Sequence, residues 1–191
     1  MLQYGYGATS GGALAFYRDR SEEEIRDIWY TRYQGGQWGE PQLLHADGWE
    51  MRACPVNGPA ADALGDAVAV AWFTGADGNN RVNVRFSQNG GERWGAVLLA
   101  DSLQPMGRVS IQLIAEDKAL LSWLDKEGQL VVRQVSANGQ MSPVKIVASG
   151  LGARKSGFPQ LKRLKDRMYL AWTQPEPQTH LRMLEGVWEE E

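Results

Sequence analysis

Apolar and polar residues alternate along most of this chain in short runs, and almost nowhere do apolar positions recur at helical spacing. Four runs stand out by their aromatic or aliphatic centres: residues 13–17, 68–73, 119–124 and 168–173. The last three carry Trp72, Trp123 and Trp172. Each is followed by a second strand-like run, at residues 25–30, 81–86, 129–135 and 180–184, and then by a turn. The pattern repeats every ~50 residues, the spacing of a supersecondary unit that buries its faces only by stacking on its neighbours. Further runs at 41–45, 96–100 and 143–148 supply outer strands, and runs near 51–56, 109–115 and 158–164 supply inner ones. For the first unit only residues 1–10 are available as an inner strand.

The turn at residues 87–94 is the best defined. Ser87 offers a hydroxyl, Asn89 tolerates left-handed φ and can bond its own backbone, and Gly90 and Gly91 take positive φ without steric cost. Trp94 supplies a ring to pack back over the turn. The first unit has a partial copy in Thr31, Gly35 and Trp38, the third has residues 136–139 without a Trp, and the fourth is abbreviated to residues 185–188. The period and the turns predict an all-β protein, a β-propeller of about four four-stranded antiparallel blades at 1–47, 48–101, 102–148 and 149–191 within a single domain. Residues 21–26 begin like a capping box, but no helix fits between two strands, so a charged loop is expected. Unpaired strand edges at the chain's ends predict self-association, or an N-terminal strand that completes the last blade.

Composition narrows the function classes. The 191 residues are 43% hydrophobic and 23% charged, as in an ordinary soluble domain. A formal net charge of −3 gives no basic footprint for nucleic acid. No apolar run approaches the ~20 residues of a membrane span, and no signal peptide is visible. Eight Trp and 22 Gly favour short strands and tight turns. Cys54 is the only cysteine and is expected to be a buried structural thiol. His45 and His180 are isolated from other ligand types, so no metal or other cofactor is expected.

The turn from Ser87 to Trp94 resembles the Asp-box, Ser-x-Asp-x-Gly-x-Thr-Trp, of bacterial BNR-repeat, sialidase-like β-propellers, with Asn89 in place of the acid and Arg93 in place of the threonine. Two further stretches, residues 26–30 and 54–59, are similar to the same family, and the specific likeness runs from about Tyr17 to Asp101. The resemblance implies that this chain is a propeller or part of a larger one of about six blades. It makes Ser87, Asn89, Gly91, Trp94, Thr31, Gly35 and Trp38 structural, on the face away from the ligand site. Its members are often secreted or periplasmic.

The resemblance moves attention to the opposite loops. There lie Arg18, Arg20, Arg52, Arg108 and Arg154, with Glu50 and Lys155 among them. Three converging guanidinium groups hold the substrate carboxylate in a sialidase, since planar forks bind carboxylates in bidentate fashion. Solvated charges paired with Asp19, Asp47, Glu50 or Asp101 are the alternative. Candidate carboxyls for glycoside hydrolysis are Asp19, Asp47 and Glu50, and candidate phenols are Tyr4, Tyr6 and Tyr17, but none stands in a family motif. The family's first arginine, in an Arg-Ile-Pro-like strand, has no counterpart. Trp49 lies in the same loops, where stacking on a sugar ring and core packing are both open to it.

Three functions remain. The first is a propeller that binds a glycan or another carboxylate-bearing ligand on this face without clear catalysis. The second is an exo-sialidase or related glycoside hydrolase with part of its site missing. The third is a structural or protein-interaction propeller.

Overall fold

The computed structural model describes residues 4–152 and 156–187. Their strands are β1 (Gly5–Thr9), β2 (Gly12–Arg18), β3 (Ile28–Gln34), β4 (Gln37–Trp38), β5 (Gln42–His45), β6 (Ala60–Leu64), β7 (Ala67–Thr74) and β8 (Arg81–Ser87). There follow β9 (Leu98–Asp101), β10 (Gly107–Ala115), β11 (Lys118–Leu124), β12 (Leu130–Ser136), β13 (Lys145–Ala148), β14 (Gln160–Leu164), β15 (Arg167–Gln174) and β16 (His180–Val187). A single 3₁₀ turn, Ala76–Gly78, is the only helical element among the described residues. Residues 21–26 form a loop anchored by a bridge between Ile25 and Glu50.

The strands make four antiparallel meanders. The first orders β1-β2-β3 with β4 and β5 each pairing to β3; the second is β6-β7-β8-β9, the third β10-β11-β12-β13 and the fourth β14-β15-β16. Their inner strands β1, β6, β10 and β14 pack against one another in succession, so the sheets are β-propeller blades arranged in an arc. Among the described residues no packing of that extent joins β14 back to β1, and the arc stays open.

The sequence pattern explains each centre. Residues 67–74 read Ala-Val-Ala-Val-Ala-Trp-Phe-Thr, and all eight are buried, because this strand has a blade on both sides. Val68, Val70 and Trp72 face the first blade and pack with Leu14, Phe16, Ile28 and Tyr30. Ala69, Ala71 and Phe73 face the third and pack with Val109, Ile111 and Leu113. A third cluster joins Leu120, Leu124 and Leu130 to Leu161, Met168 and Leu170 of the last blade.

Three expectations need correction. The inner strand of the second blade is Ala60–Leu64, not residues 51–56. Those residues run as loop, because the carbonyls of Met51 and Ala53 accept from the Arg26 guanidinium rather than from a ladder. The third strand of the first blade is Ile28–Gln34, so it starts later than residue 25 and carries Thr31 inside it. Its hairpin turns at Gly35 and Gly36, both at positive φ (59° and 86°), as a two-residue turn requires. Thr31 Oγ1 donates to Gly39 O at 2.7 Å across that hairpin. Finally, the N-terminal strand does not complete the last blade. It is β1, paired with β2.

The turn after β8 is a closed hydrogen-bond cage. Ser87 Oγ donates to Asn89 Oδ1 at 3.0 Å and accepts from the amides of Asn89 and Gly91 at 3.3 and 3.0 Å. Asn89 Oδ1 accepts from the Arg93 amide at 2.9 Å. The turn is also a clamp on the preceding blade. Tyr30 Oη donates to Gly91 O at 3.1 Å, and Trp94 meets Phe16 and Tyr30 edge-on at 5.8 and 5.5 Å between ring centres. Gly91 sits at φ 79°, and a Cβ there would overlap the Leu14 side chain. Gly35 has nothing within 4 Å of the same position.

This contrast is testable by urea unfolding. Gly35→Ala carries backbone strain alone and is expected to lower stability by about 1 kcal/mol. Gly91→Ala adds overpacking against Leu14 and is expected to lower it by roughly 3 kcal/mol. Equal losses would show that the turn does not grip the first blade.

Candidate functional site

Strand alternation puts the hairpin turns at one end of every blade and a second set of connections at the other. That second rim comprises residues 19–27, 75–80, 125–129 and 175–179 within blades, and 46–59, 102–106, 149–152 and 156–159 between them. The between-blade connections cross from the outer strand of one blade to the inner strand of the next, so the rim is where neighbouring blades contribute side chains to a shared space.

The arginines named from the sequence have different fates there. Arg18 is buried at the end of β2, its side chain 2% exposed beside Asp47 at 1%. Its Nη1 donates to Arg26 O at 2.6 Å and to Asp47 Oδ2 at 3.3 Å, its Nε to Asn57 O at 3.3 Å, and its Nη2 to Phe73 O. The guanidinium also lies 4.9 Å from the centre of the Trp49 ring. Burial lowers the Arg18 pKa from the ordinary guanidinium value, partly offset by the Asp47 charge. Burial likewise raises the Asp47 carboxyl, against the pull of Arg18, the Trp72 N–H and His45. Arg20 is exposed and paired with Glu24. Arg52 is 85% exposed, with Glu50 at 3.5 Å. Arg154, with Lys155, lies outside the described residues.

Arg108 is held by backbone geometry. It stands at positive φ (60°) after Gly107 (88°), in a conformation uncommon for a residue with a side chain. Asn57 fixes the bend: its Oδ1 accepts from the Arg108 amide at 3.1 Å and its Nδ2 donates to Met106 O at 3.2 Å. The guanidinium stacks 4.0 Å over Phe158, and burial lowers its pKa. Asn57 thus touches both Arg18, through its carbonyl, and Arg108, through its side chain, and it joins the first, second and third blades. Arg20 and Arg52 are engaged elsewhere on the rim, with Glu24 and Glu50.

Sequence reasoning missed the latches that repeat between blades. Trp72 Nε1 donates to Asp47 Oδ1 of the preceding blade at 3.1 Å, and Trp123 Nε1 to Asp101 Oδ2 at 2.6 Å. Below them, Arg85 donates to Gly95 O and to Leu44 O, and Arg133 to Ser142 O and to Ala100 O. Nearer the centre, Asp62, Ser110 and Gln112 accept from the amides of Leu113, Leu161 and Arg163 in the next inner strand. The signal was present as a carboxylate at or just past the end of the first two outer strands, 25 and 22 residues before the Trp it meets. The last blade breaks the series, since Trp172 Nε1 donates to its own Gln174.

Above the second latch the rim opens into a cleft of about 330 Å³ between the second and third blades. Its lining includes Leu99, Leu103 and Val144 together with Lys126 and Glu127, an ion pair at 3.6 Å. Asp101 and Asp125 also line it: the two Asp101 oxygens accept from Trp123 and the Leu103 amide, and Asp125 Oδ1 accepts from the amides of Glu127 and Gln129. The cleft therefore offers mixed donors and acceptors beside an apolar patch.

The remaining candidates can be placed briefly. Trp49 is buried against Phe73 and belongs to the core. Burial and the Asp19 charge raise the Tyr17 phenol, which makes it a weaker nucleophile at neutral pH. Tyr4 and Tyr6 are exposed. Cys54 is exposed in the 46–59 loop, contrary to the expected buried thiol, because that segment is not the inner strand. No group of three or more His, Cys, Asp or Glu suited to a metal occurs among the described residues. Among them, too, no helix is long and apolar enough to cross a membrane.

These blades define a β-propeller, and solved structures share the arrangement. A Penicillium chrysogenum α-L-arabinanase complexed with arabinobiose superposes with a TM-score of 0.64 at 12% identity, over 96% of this chain and 62% of that one. The BP39L lectin of Burkholderia pseudomallei gives 0.63 at 11%, over 94% and 52%. The Hadza microbial sialidase Hz136 gives 0.50 at 15%, over 95% and 43%. This chain therefore spans only part of each of those proteins. No family model matches the sequence, and no curated protein matches it.

The buried pair makes a prediction about stability. Asp47→Ala strands the Arg18 guanidinium and the Trp72 N–H, and removing one partner of a buried pair is expected to cost about 3 kcal/mol. Arg52→Ala, on an exposed pair, is expected to stay within about 0.5 kcal/mol. Denaturant midpoints of both variants check the difference.

Proposed function

We propose that this chain is the glycan-binding part of a sialidase-like propeller and takes its ligand on the rim opposite the hairpin turns. The cleft between the second and third blades carries this reading. A sugar ring has an apolar face and a hydroxyl edge, which suit a lining that combines Leu99, Leu103 and Val144 with Lys126 and Glu127. Its volume suits one or two sugar units. Lys126, in the cleft itself, supplies positive charge for a carboxylate-bearing glycan, while Arg20 and Arg52 are paired with Glu24 and Glu50 elsewhere on the rim and Arg108 is buried over Phe158. The buried Arg18 acts as a brace for that surface rather than as a ligand contact.

Two lines support the carbohydrate reading. The solved structures of similar fold include an arabinanase, a lectin and a sialidase. The cage around Ser87 and Asn89 has the hydrogen bonding that an Asp-box turn needs, with the Asn89 amide oxygen in the place of the acid. On this reading the chain binds rather than hydrolyses, because Asp47 and Asp101, two of the rim carboxylates, are committed to structural bonds. A second reading, a glycoside hydrolase whose site is completed outside this chain, draws on the share of those proteins that the chain spans.

Isothermal titration with arabinobiose and with a sialylated trisaccharide tests the proposal. Binding of at least one sugar is expected, weakened by an order of magnitude or more in Lys126→Ala, consistent with losing about 1.4 kcal/mol or more of charge-assisted contact. No binding of either sugar, or binding indifferent to Lys126→Ala, would overturn the cleft assignment. Turnover of an aryl glycoside by the chain alone would overturn the non-catalytic reading.

A further inference from the structure

The hairpin turn of the second blade, besides gripping the first, borders open space toward the third. A cavity of about 530 Å³ lies there, at the end of the fold opposite the rim. Phe86, Trp94 and Ala137 give it apolar surface, and Gln88, Asn89 and Arg93 give it polar surface. In the preceding seam Trp94 itself fills the space beside Phe16 and Tyr30. The third blade's turn, residues 136–139, has no Trp and contributes only Ala137 to the cavity. Gln88 Nε2 donates to Glu116 O at 3.0 Å, which ties the two blades beside it. Arg93 is the only ionisable residue of the lining. Its backbone amide is fixed by Asn89 Oδ1 at 2.9 Å, yet its guanidinium has no hydrogen-bond or ion-pair partner among the described residues. Neighbouring carboxylates are engaged elsewhere, Glu92 with Arg32 at 3.2 Å and Asp66 with the Ser10 hydroxyl.

We propose that this cavity is a second binding site, for a small organic carboxylate whose charge meets Arg93 and whose flat apolar body lies between Trp94 and Ala137. Both departures from the Ser-x-Asp-x-Gly-x-Thr-Trp pattern fall in this lining: Asn89 stands for the acid and Arg93 for the threonine. The pattern residues would bring one negative charge here, and this chain brings one positive charge instead. A guanidinium offers paired N–H groups in the geometry of a carboxylate. Asn89 spends its amide oxygen on the turn, so its NH₂ group is left to donate beside Arg93. Apolar surface with a few placed polar groups is the usual form of a small-molecule site. A single cation balances a monoanion, whereas a phosphate dianion or an acidic chain would need more positive charge than the lining holds. The site is separate from the cleft at the rim and does not depend on it.

Amide correlation spectra of the labelled chain, titrated with 2-naphthoate and with its neutral counterpart 2-naphthamide, test the proposal. The acid is expected to shift the amides of residues 87–96 and of Ala137, and to bind at least about tenfold more tightly than the amide. Arg93→Thr and Asn89→Asp restore the pattern residues. Both keep the turn's bonds, which use the backbone amide at 93 and a side-chain oxygen at 89. Each is expected to weaken 2-naphthoate by about tenfold or more. Ala137→Trp supplies the ring that the third turn lacks and is expected to abolish binding of both compounds. Should that variant misfold, Arg93→Thr and the acid–amide comparison decide alone. No shift at millimolar 2-naphthoate would overturn the proposal, as would shifts centred on Leu99, Leu103 and Lys126 at the rim. Equal affinity for acid and amide, or affinity indifferent to Arg93→Thr, would overturn the assignment of Arg93 and with it the ligand class.

Discussion

A sheet with two apolar faces cannot be stable alone, and this constraint organises the molecule. The strand centres at Val68 to Thr74 and at Ala119 to Leu124 are buried on both sides, so each blade is folded only to the extent that it is sandwiched. Hydrophobic contact is non-directional and would let blades slide. The polar links remove that freedom. A Trp donates to a carboxylate of the preceding blade, an Arg ties the outer strands through carbonyls, and short side chains cap inner-strand amides that no neighbouring backbone reaches. Buried donors left without such partners would carry a penalty of about 1–3 kcal/mol each, so the angle between blades is set where all three kinds of link can form at once.

The same links explain the character of the rim. The carboxylates and guanidinium groups expected there for ligand binding are partly consumed by holding blades together. Arg18 and Asp47 form a joint, and Asn57 spans three blades with its carbonyl and its amide group. What remains for solvent is at the seams. Between the second and third blades the seam leaves a cleft lined by both apolar and charged side chains. Such a cleft is a by-product of how two blades meet rather than a property of either.

Much of the fold was legible in the sequence, because second and third strands combine alternation with a Trp and a turn, all local signals. The four-blade organisation follows from them. Inner strands were read less well. Ala60 to Leu64 has weak strand propensity and is made a strand by packing against Gly5 and Gly7, whose missing side chains let β1 approach. The alternating residues before Pro55 looked more strand-like and are not. The site was legible only as a list of charges. Whether an arginine is buried or free depends on a partner such as Asp47, which lies 29 residues away in another element, and on carbonyls that no composition reveals. The Trp–Asp latch needed two copies aligned by blade to be noticed at all.

The grip of the Ser87–Trp94 turn on Tyr30 has a bearing on how such a chain can change by duplication. The turn belongs by connectivity to the second blade, yet its carbonyl at Gly91 and its ring at Trp94 are completed by residues of the first. A segment copied from one sheet boundary to the next would leave this joint cut in two. The portion that carries a whole joint runs from the middle of one blade to the middle of the following one, so the natural module of this protein is offset from the blades the eye picks out.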